Sequence, residues 1–172
     1  EFYILISKIL YNKKKIILFC FLLIAYLSIF LPQIYLFIIY DNNNKLFFIY
    51  LLTICICTDL GGYICGNLFK GKKLSKISPK KTYSGLIGSY IFSTIVFIFF
   101  YYQYNFSAYF LILTILISTI SQSGDLFISY LKRKAKIKDT GNILPGHGGI
   151  LDRIDGIIFA LPLGINLLFL FR

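Results

Sequence analysis

Long apolar runs, separated by short polar segments, make up most of this chain. A helix that crosses a bilayer needs about 20 mostly apolar residues, and five segments approach that length: residues 16–40, 46–69, 85–102, 106–126 and 157–171. In an alternative interpretation of the sequence, the last segment starts as early as residue 150. Pro32 lies inside the first run and predicts a kink or a break into two shorter helices. The pattern predicts an all-α fold, a polytopic integral membrane bundle of about five transmembrane helices.

The composition excludes an ordinary soluble domain. Hydrophobic residues make up 58% of the 172 positions, against roughly 45–50% in a typical soluble protein. We expect residues 1–172 to form a single membrane domain. Because the sequence starts without Met and already inside an apolar pattern, we also expect it to be the C-terminal part of a longer chain. The four cysteines lie in apolar runs, which favours small buried hydrophobes over zinc ligands or disulfides.

The positive charge has a simple membrane interpretation. A net charge of +11 in a soluble protein would suggest a nucleic-acid partner, whereas cytoplasmic loops of membrane proteins are enriched in Lys and Arg. With the N-terminus inside, the inner loops hold 16 of the 18 basic residues and the outer loops hold only Lys45 and Arg172. We therefore expect a multi-pass protein of the inner or plasma membrane type, with its polar loops facing the cytoplasm and no nucleic-acid partner.

Four acids lie inside or at the ends of the apolar runs: Asp59, Asp125, Asp152 and Asp155. Burying a carboxylate in hydrocarbon is costly, so such groups usually face a partner or a water-filled cavity. The last two are three residues apart and would share one face of a helix. Structural pairing with Lys or Arg is the alternative. Two or more carboxylates at one site suit Mg²⁺, and lysines beside them would favour phosphoryl or nucleotidyl transfer.

The longest polar stretch, residues 129–155, combines cations, glycines and acids. Its basic run, residues 132–138, suits phosphate binding or, alternatively, anchoring to anionic lipid head groups. Gly146, Gly148 and Gly149 surround His147 and would let backbone N–H groups approach an anion closely. A helix that begins here would add the positive end of its dipole. His147 fits an active role or a loop hydrogen bond equally well.

A second polar segment, residues 75–85, lies on the same side of the predicted membrane. Ser78-Pro79 indicates a turn, and Lys80, Lys81 and Thr82 follow it. These residues are candidates for phosphate contacts. A solvated basic loop is the alternative interpretation.

The stretch 129–155 resembles the signature of the phosphatidate cytidylyltransferases, also called CDP-diacylglycerol synthases. The matching residues are Ser129, Lys132-Arg133, Lys138-Asp139, Gly141, His147-Gly148-Gly149, Asp152-Arg153 and Asp155. Asp59–Tyr63 with Gly66 and Ser78–Gly85 also look like family segments. Two positions depart from the family pattern: Ser84 stands where an acid is usual, and Leu60 stands where Thr is frequent.

The resemblance implies a reaction in which CTP and phosphatidate give CDP-diacylglycerol and pyrophosphate. It implies Mg²⁺ as the metal and allows a second, monovalent cation. It also implies membrane lipid around the site and a homodimer. The implied roles are metal binding for Asp125 and Asp152, catalysis for these two and Lys132, substrate binding for Ser78, Lys81, Arg133, Lys138, His147 and Arg153, and support for Asp59, Asp139 and Asp155.

Two competing interpretations belong to other classes of protein. A CTP-dependent lipid kinase of the dolichol or phytol type would transfer the γ-phosphate and leave CDP. The His-Gly-Gly and Asp-Arg-x-Asp matches favour the cytidylyltransferase. A cation transporter would spread acids through the depth of the bilayer, whereas here they gather at one side, next to basic loops.

Overall fold

The computed structural model describes residues 1–10, 12–74, 78, 81–141, 143 and 148–171. Within these ranges the regular elements are helices, and an isolated β-bridge joins Lys73 and Thr82. The helices are α1 (Phe2–Ile9), α2 (Lys13–Tyr40), α3 (Asn42–Phe69), α4 (Tyr83–Tyr104), α5 (Phe110–Lys134), α6 (Leu151–Ile154) and α7 (Ile157–Phe171).

Helices α2 to α5 are each long and apolar enough to cross a membrane. Helix α7 has 15 residues and therefore spans about 22 Å, less than the ~30 Å of bilayer hydrocarbon. It packs in the same bundle. The prediction of an all-α polytopic membrane bundle is confirmed. Helix α2 runs through Pro32 as one element of 28 residues, so of the two predicted alternatives, a kink or a break, the break is wrong.

Side-chain contacts fix the directions of the helices. Tyr90 of α4 hydrogen-bonds Thr119 of α5, and Phe100 of α4 contacts Phe106, just before α5 begins, so these helices are antiparallel. Helices α3 and α5 run parallel, because Tyr50 bonds Thr114 and Thr58 bonds Ser118. Tyr26 bonds the carbonyl of Ile158 and Gln33 bonds Asn166, so α2 and α7 are also parallel. All basic loops therefore lie at one end of the bundle.

The apolar core lies toward the opposite end. Tyr50, Phe100, Phe106 and Phe110 form an aromatic cluster in which the ring centroids of Tyr50 and Phe100 are 4.9 Å apart. Tyr50 is fully buried, and its hydroxyl group hydrogen-bonds Thr114. Because this packing holds α3, α4 and α5 together at the far end, their polar residues can line a space at the end with the basic loops.

Helices α5 and α7 cross at Gly124 and Gly156. A Cβ atom on Gly156 would lie 2.6 Å from Ser121 Oγ and 2.9 Å from the Ser121 carbonyl oxygen. A Cβ atom on Gly124 would lie 2.7 Å from the Phe159 ring and 3.0 Å from the Asp155 carbonyl oxygen. Only glycine permits this close approach, which brings Asp125 next to Asp155.

We expect Gly156→Ala to lower the free energy of unfolding by about 1–3 kcal/mol, the usual cost of overpacking. Gly156 lies just before α7, and its carbonyl oxygen accepts a hydrogen bond from the Ala160 amide. Alanine is less favourable than glycine at such a position, so the helix start and the crossing both contribute to the loss. The measurement is denaturant unfolding in detergent. Ser123→Ala, on the exposed side of α5, is the control and should change stability by less than about 0.5 kcal/mol. Equal stability of the Gly156 variant and the wild type would contradict the prediction.

Candidate active site

Helix α5 carries three site residues on one face. The sequence pattern predicted its end at Leu126, but the helix continues to Lys134. Ile128 is buried and Leu131 packs on α1, so the apolar pattern persists beyond the membrane segment. As a result, Asp125, Ser129 and Lys132 follow one another at spacings of four and three. Ser129 Oγ donates a hydrogen bond of 3.3 Å to Asp125 Oδ1.

Asp152, on α6, connects three parts of the polar stretch. Its Oδ1 accepts a hydrogen bond of 2.8 Å from Lys132 Nζ. Its Oδ2 accepts hydrogen bonds from the backbone amides of Thr140, at 2.8 Å, and Gly149, at 3.0 Å. Burial by itself raises the pKa of Asp152, but these hydrogen bonds and the lysine charge together lower that pKa below its usual value. The carboxylate is therefore ionised at neutral pH.

Gly148 and Gly149 shape the turn that precedes α6. Gly148 has a φ of +83°, a conformation that residues with side chains rarely adopt. The sequence pattern suggested that these amides would bind a substrate anion. In the structure the Gly149 amide binds an anion of the chain itself, the carboxylate of Asp152. The glycines thus position an acid.

Asp125 lies between a lysine and a second acid. Lys81 forms an ion pair with Asp125 Oδ2, and the carboxyl group of Asp155 hydrogen-bonds Asp125. Asp155 is only 8% exposed, and it accepts a hydrogen bond of 2.9 Å from the Gly156 amide. Burial and the negative charge of Asp125 raise the pKa of Asp155.

The loop between α3 and α4 delivers Lys81 to the bundle. The Leu74 amide donates to the Lys81 carbonyl at 2.8 Å, and the Tyr83 amide donates to the Lys72 carbonyl at 3.0 Å. The Lys81 amide in turn bonds the Ser78 carbonyl at 3.1 Å. These bonds hold the end of the loop against the start of α4, so the Lys81 side chain can reach Asp125.

Ser84, which departs from the family pattern, has a local structural role. Its hydroxyl accepts a hydrogen bond of 3.3 Å from the Gly71 amide and bonds the Thr82 hydroxyl at 2.9 Å. Thr82 caps α4 by accepting from the Gly85 amide at 3.1 Å. Ser84 therefore helps to fix the same loop that carries Lys81.

A cavity of about 280 Å³ opens between α3, α4 and α5. Its polar lining includes Thr58, Asp59, Ser78, Lys81, Gln122 and Asp125. Asp59 is close enough to interact electrostatically with both Asp125 and Lys81. The cavity thus brings together residues from α3, from the loop between α3 and α4, and from α4 and α5.

Other predicted site residues are exposed or lie outside the described residues. Arg133, Lys138, Asp139 and Arg153 are exposed on the surface of the polar end. His147, Gly146 and Lys80 lie outside the residues that the structure describes. Glu1 and Thr140 contact the site but were not singled out from the sequence. Thr140 lies inside the signature stretch, whereas the sequence pattern around Glu1 carries no signal for a role in the site.

Two features define the class of this protein. The fold is a polytopic membrane bundle, and the end with the basic loops holds two acid–lysine pairs, one of which lines a polar cavity. This arrangement is suited to binding polyphosphates. The pattern of the cytidylyltransferase family matches residues 2–171. The chain belongs to the cytidylyltransferase family, and the sequence prediction of a nucleotidyltransferase is confirmed.

Individual relatives agree with this assignment. The chain is 42% identical over 160 residues to the phosphatidate cytidylyltransferase of Rickettsia typhi, an alignment that covers 86% of this chain and 70% of that protein. It is also 42% identical over 154 residues to the phosphatidate cytidylyltransferase of Staphylococcus haemolyticus, covering 87% of this chain and 58% of that protein. The chain thus spans 70% of the length of the first relative and 58% of the length of the second.

Proposed function

We propose that this protein transfers the cytidylyl group of CTP to phosphatidate, giving CDP-diacylglycerol and pyrophosphate. The observation that supports this most directly is the pair of acid–lysine contacts, Asp125 with Lys81 and Asp152 with Lys132, at the same end of a membrane bundle. They lie on the segments that match the family, and a polar cavity lies beside Asp125. In this proposal the lipid phosphate at the membrane surface meets the nucleotide from the cytoplasm there.

The proposed reaction is an in-line displacement at phosphorus. An oxygen of the phosphatidate phosphate forms a bond to the α-phosphorus of CTP. The bond between that phosphorus and the oxygen that bridges to the β-phosphorus breaks, and pyrophosphate leaves with the electron pair. The attacking phosphate is ionised at neutral pH, so the chain needs no general base. The barrier comes mainly from bringing two polyanions together, and positioned cations lower it.

We also propose a magnesium ion at this site. Among the described residues no group of three or more His, Cys, Asp or Glu side chains is arranged to hold a metal by itself. Mg²⁺ usually takes only one or two carboxylates and completes its shell with water and substrate phosphates. Asp125 and Asp152 would hold the ion, which would supply positive charge to the phosphate oxygens. A second, monovalent cation is part of the same proposal.

In this proposal Lys81 and Lys132 also bind substrate phosphates. Lys81 and Lys132 each neutralise an acid in the structure, and both can turn toward phosphate oxygens when substrates bind. Arg133, Lys138 and Arg153 are exposed at the same end, where they would attract CTP and stabilise the leaving pyrophosphate. Ser78 lines the cavity close to Lys81 and would bind phosphate there. We place this end of the bundle in the cytoplasm because it carries nearly all of the basic residues.

The position of an isotopic label tests the reaction. Full-length protein in detergent is given phosphatidate, Mg²⁺ and CTP labelled at the α-phosphate. We expect the label to enter the lipid phase while pyrophosphate appears in equal amount. Label that stays in the aqueous phase as CDP would show a lipid kinase instead. Folded protein that consumes no CTP would contradict both the cytidylyltransferase and the lipid kinase interpretation.

A further inference from the structure

Glu1 lies against the segment that carries Asp152, although the two are far apart in sequence. Its Oε1 accepts a hydrogen bond of 2.9 Å from the Ile150 amide, and its Oε2 accepts one of 2.7 Å from the Leu151 amide. The Thr140 hydroxyl also donates to Oε2, at 3.3 Å. A single carboxylate therefore satisfies three donors from two separate parts of the polar stretch.

These donors belong to the same backbone that holds Asp152. The Thr140 amide and the Gly149 amide both bind Asp152 Oδ2. Thr140 thus contacts Glu1 through its hydroxyl and Asp152 through its amide. Helix α6 starts at Leu151, and its N-cap, Ile150, offers no side-chain hydrogen bond. The Glu1 carboxylate, which is remote in sequence, supplies the hydrogen-bond acceptor that the side chain of an N-cap residue would otherwise provide.

The start of α1 is held in place by apolar contacts. Leu5 is fully buried and forms a small cluster with Ala135, at the end of α5, and Leu151, at the start of α6. Phe2 and Ile9 pack against the same cluster. Because these contacts fix α1 against both helices that carry site residues, the Glu1 carboxylate has a defined position.

Two glycines of the signature stretch leave room for this carboxylate. A Cβ atom on Gly141 would lie 2.9 Å from Glu1 Oε1, and a Cβ atom on Gly149 would lie 2.9 Å from Glu1 Cδ. Larger residues at either position would push the carboxylate away from the amides that it binds. The close packing explains why small residues stand at these two places in the turn.

We propose that Glu1 is a positioning residue for the transfer reaction: it fixes the turn before α6 so that Asp152 points toward Lys132 and the substrates. Glu1 itself does not touch the substrates. The expected loss of kcat rests on the proposed function, whereas the expected loss of order in the turn before α6 does not. Removal of an outer hydrogen-bond partner of a site residue typically lowers activity by about 10- to 100-fold.

The test combines amide hydrogen exchange with kinetics on full-length protein in detergent. Exchange is followed at the Ile150 and Leu151 amides of metal-free protein. We expect E1Q, which leaves one of these amides facing an NH₂ group, to exchange there at least about tenfold faster and to lose about 10- to 100-fold in kcat, with a smaller change in the KM for CTP. E1D keeps both oxygens and should recover part of the protection and of kcat. D41N, on the opposite membrane face, is the matched carboxylate-to-amide control, since Asn caps a helix as well as Asp.

Several results would overturn the proposal. One is unchanged exchange at Ile150 and Leu151 in E1Q; another is a kcat within twofold of wild type. Faster exchange spread evenly over α1 and α5 would indicate general loosening and would also overturn it. If E1Q does not fold, E1D decides: exchange at Ile150 and Leu151 that is faster than in wild type, together with a lower kcat, supports the proposal, whereas a change in only one of these two quantities, or in neither, overturns it. Wild-type protein that makes no CDP-diacylglycerol would remove the proposed function but leave the exchange result standing.

Discussion

Asp152→Asn is expected to lower kcat by about 10²- to 10³-fold, the usual cost of removing one electrostatic contact from a transition state. Asparagine keeps the shape of Asp152 but has one acceptor oxygen in place of two. In the structure Oδ1 faces Lys132 and Oδ2 faces two backbone amides. In either orientation of the asparagine side chain, its NH₂ group faces a hydrogen-bond donor, either Lys132 or the two backbone amides. The variant therefore loses both the negative charge and part of the local hydrogen bonding.

Transfer of label from the α-phosphate of CTP to lipid measures this loss. Asp41→Asn is the matched control and should keep wild-type activity, because Asp41 caps α3 at the opposite end of the bundle. Thermal unfolding of both variants shows whether the Asp152 variant is folded. An Asp152 variant with more than about a tenth of wild-type kcat would argue against a catalytic role for this carboxylate.

The overall fold could be predicted from the sequence because apolar length is a strong signal. The predicted and observed ends of α7 coincide, and those of α4 differ by two residues at each end. The end of α5 was placed eight residues too early. There the polar and charged residues signalled an end to the membrane segment, but the helix continues into solvent with Ile128 and Leu131 packed on its apolar face. Hydrophobicity marks where the membrane ends, which need not be where a helix ends.

The individual acids of the site were also recognisable from the sequence, whereas their partners were not. The pairing of Lys81 with Asp125 joins residues 44 positions apart, and it depends on how the loop after α3 folds back on α4. The contact of Glu1 with the turn before α6 joins residues about 150 positions apart. Such contacts follow from the packing of helices, and local sequence pattern carries no information about them.

The contact between Asp125 and Asp155 shows how packing decides the chemistry of a site. From spacing alone, Asp152 and Asp155 were expected to share one face of a helix. Asp155, the C-cap of α6, keeps a right-handed helical backbone, but the two acids have different partners: Asp152 bonds Lys132, and Asp155 lies next to Asp125. The close crossing at Gly124 and Gly156 makes the second contact possible. Two acids of one motif thus serve different parts of the site.

Asp125→Asn is expected to lower kcat by about 10²- to 10³-fold as well, and Lys81→Met should add little to that loss. The two side chains form an ion pair beside the cavity, and groups that act as a unit show strongly non-additive effects. Once Asp125 is neutral, Lys81 has lost the partner that positions it, so its removal costs little more. Asp59→Asn, in the same cavity, is the matched variant.

The measurement is a double-mutant cycle on kcat with Asp125→Asn, Lys81→Met and both together, using the label-transfer reaction. We expect the double variant to have a kcat within about threefold of the slower single variant. Asp59→Asn should lose less than Asp125→Asn, because the structure pairs Asp125, the proposed metal ligand, with Lys81. Losses that multiply independently in the double variant would mean that Lys81 binds substrate without help from Asp125. In that case the ion pair would exist only in the absence of substrate, and the two side chains would stabilise the transition state independently.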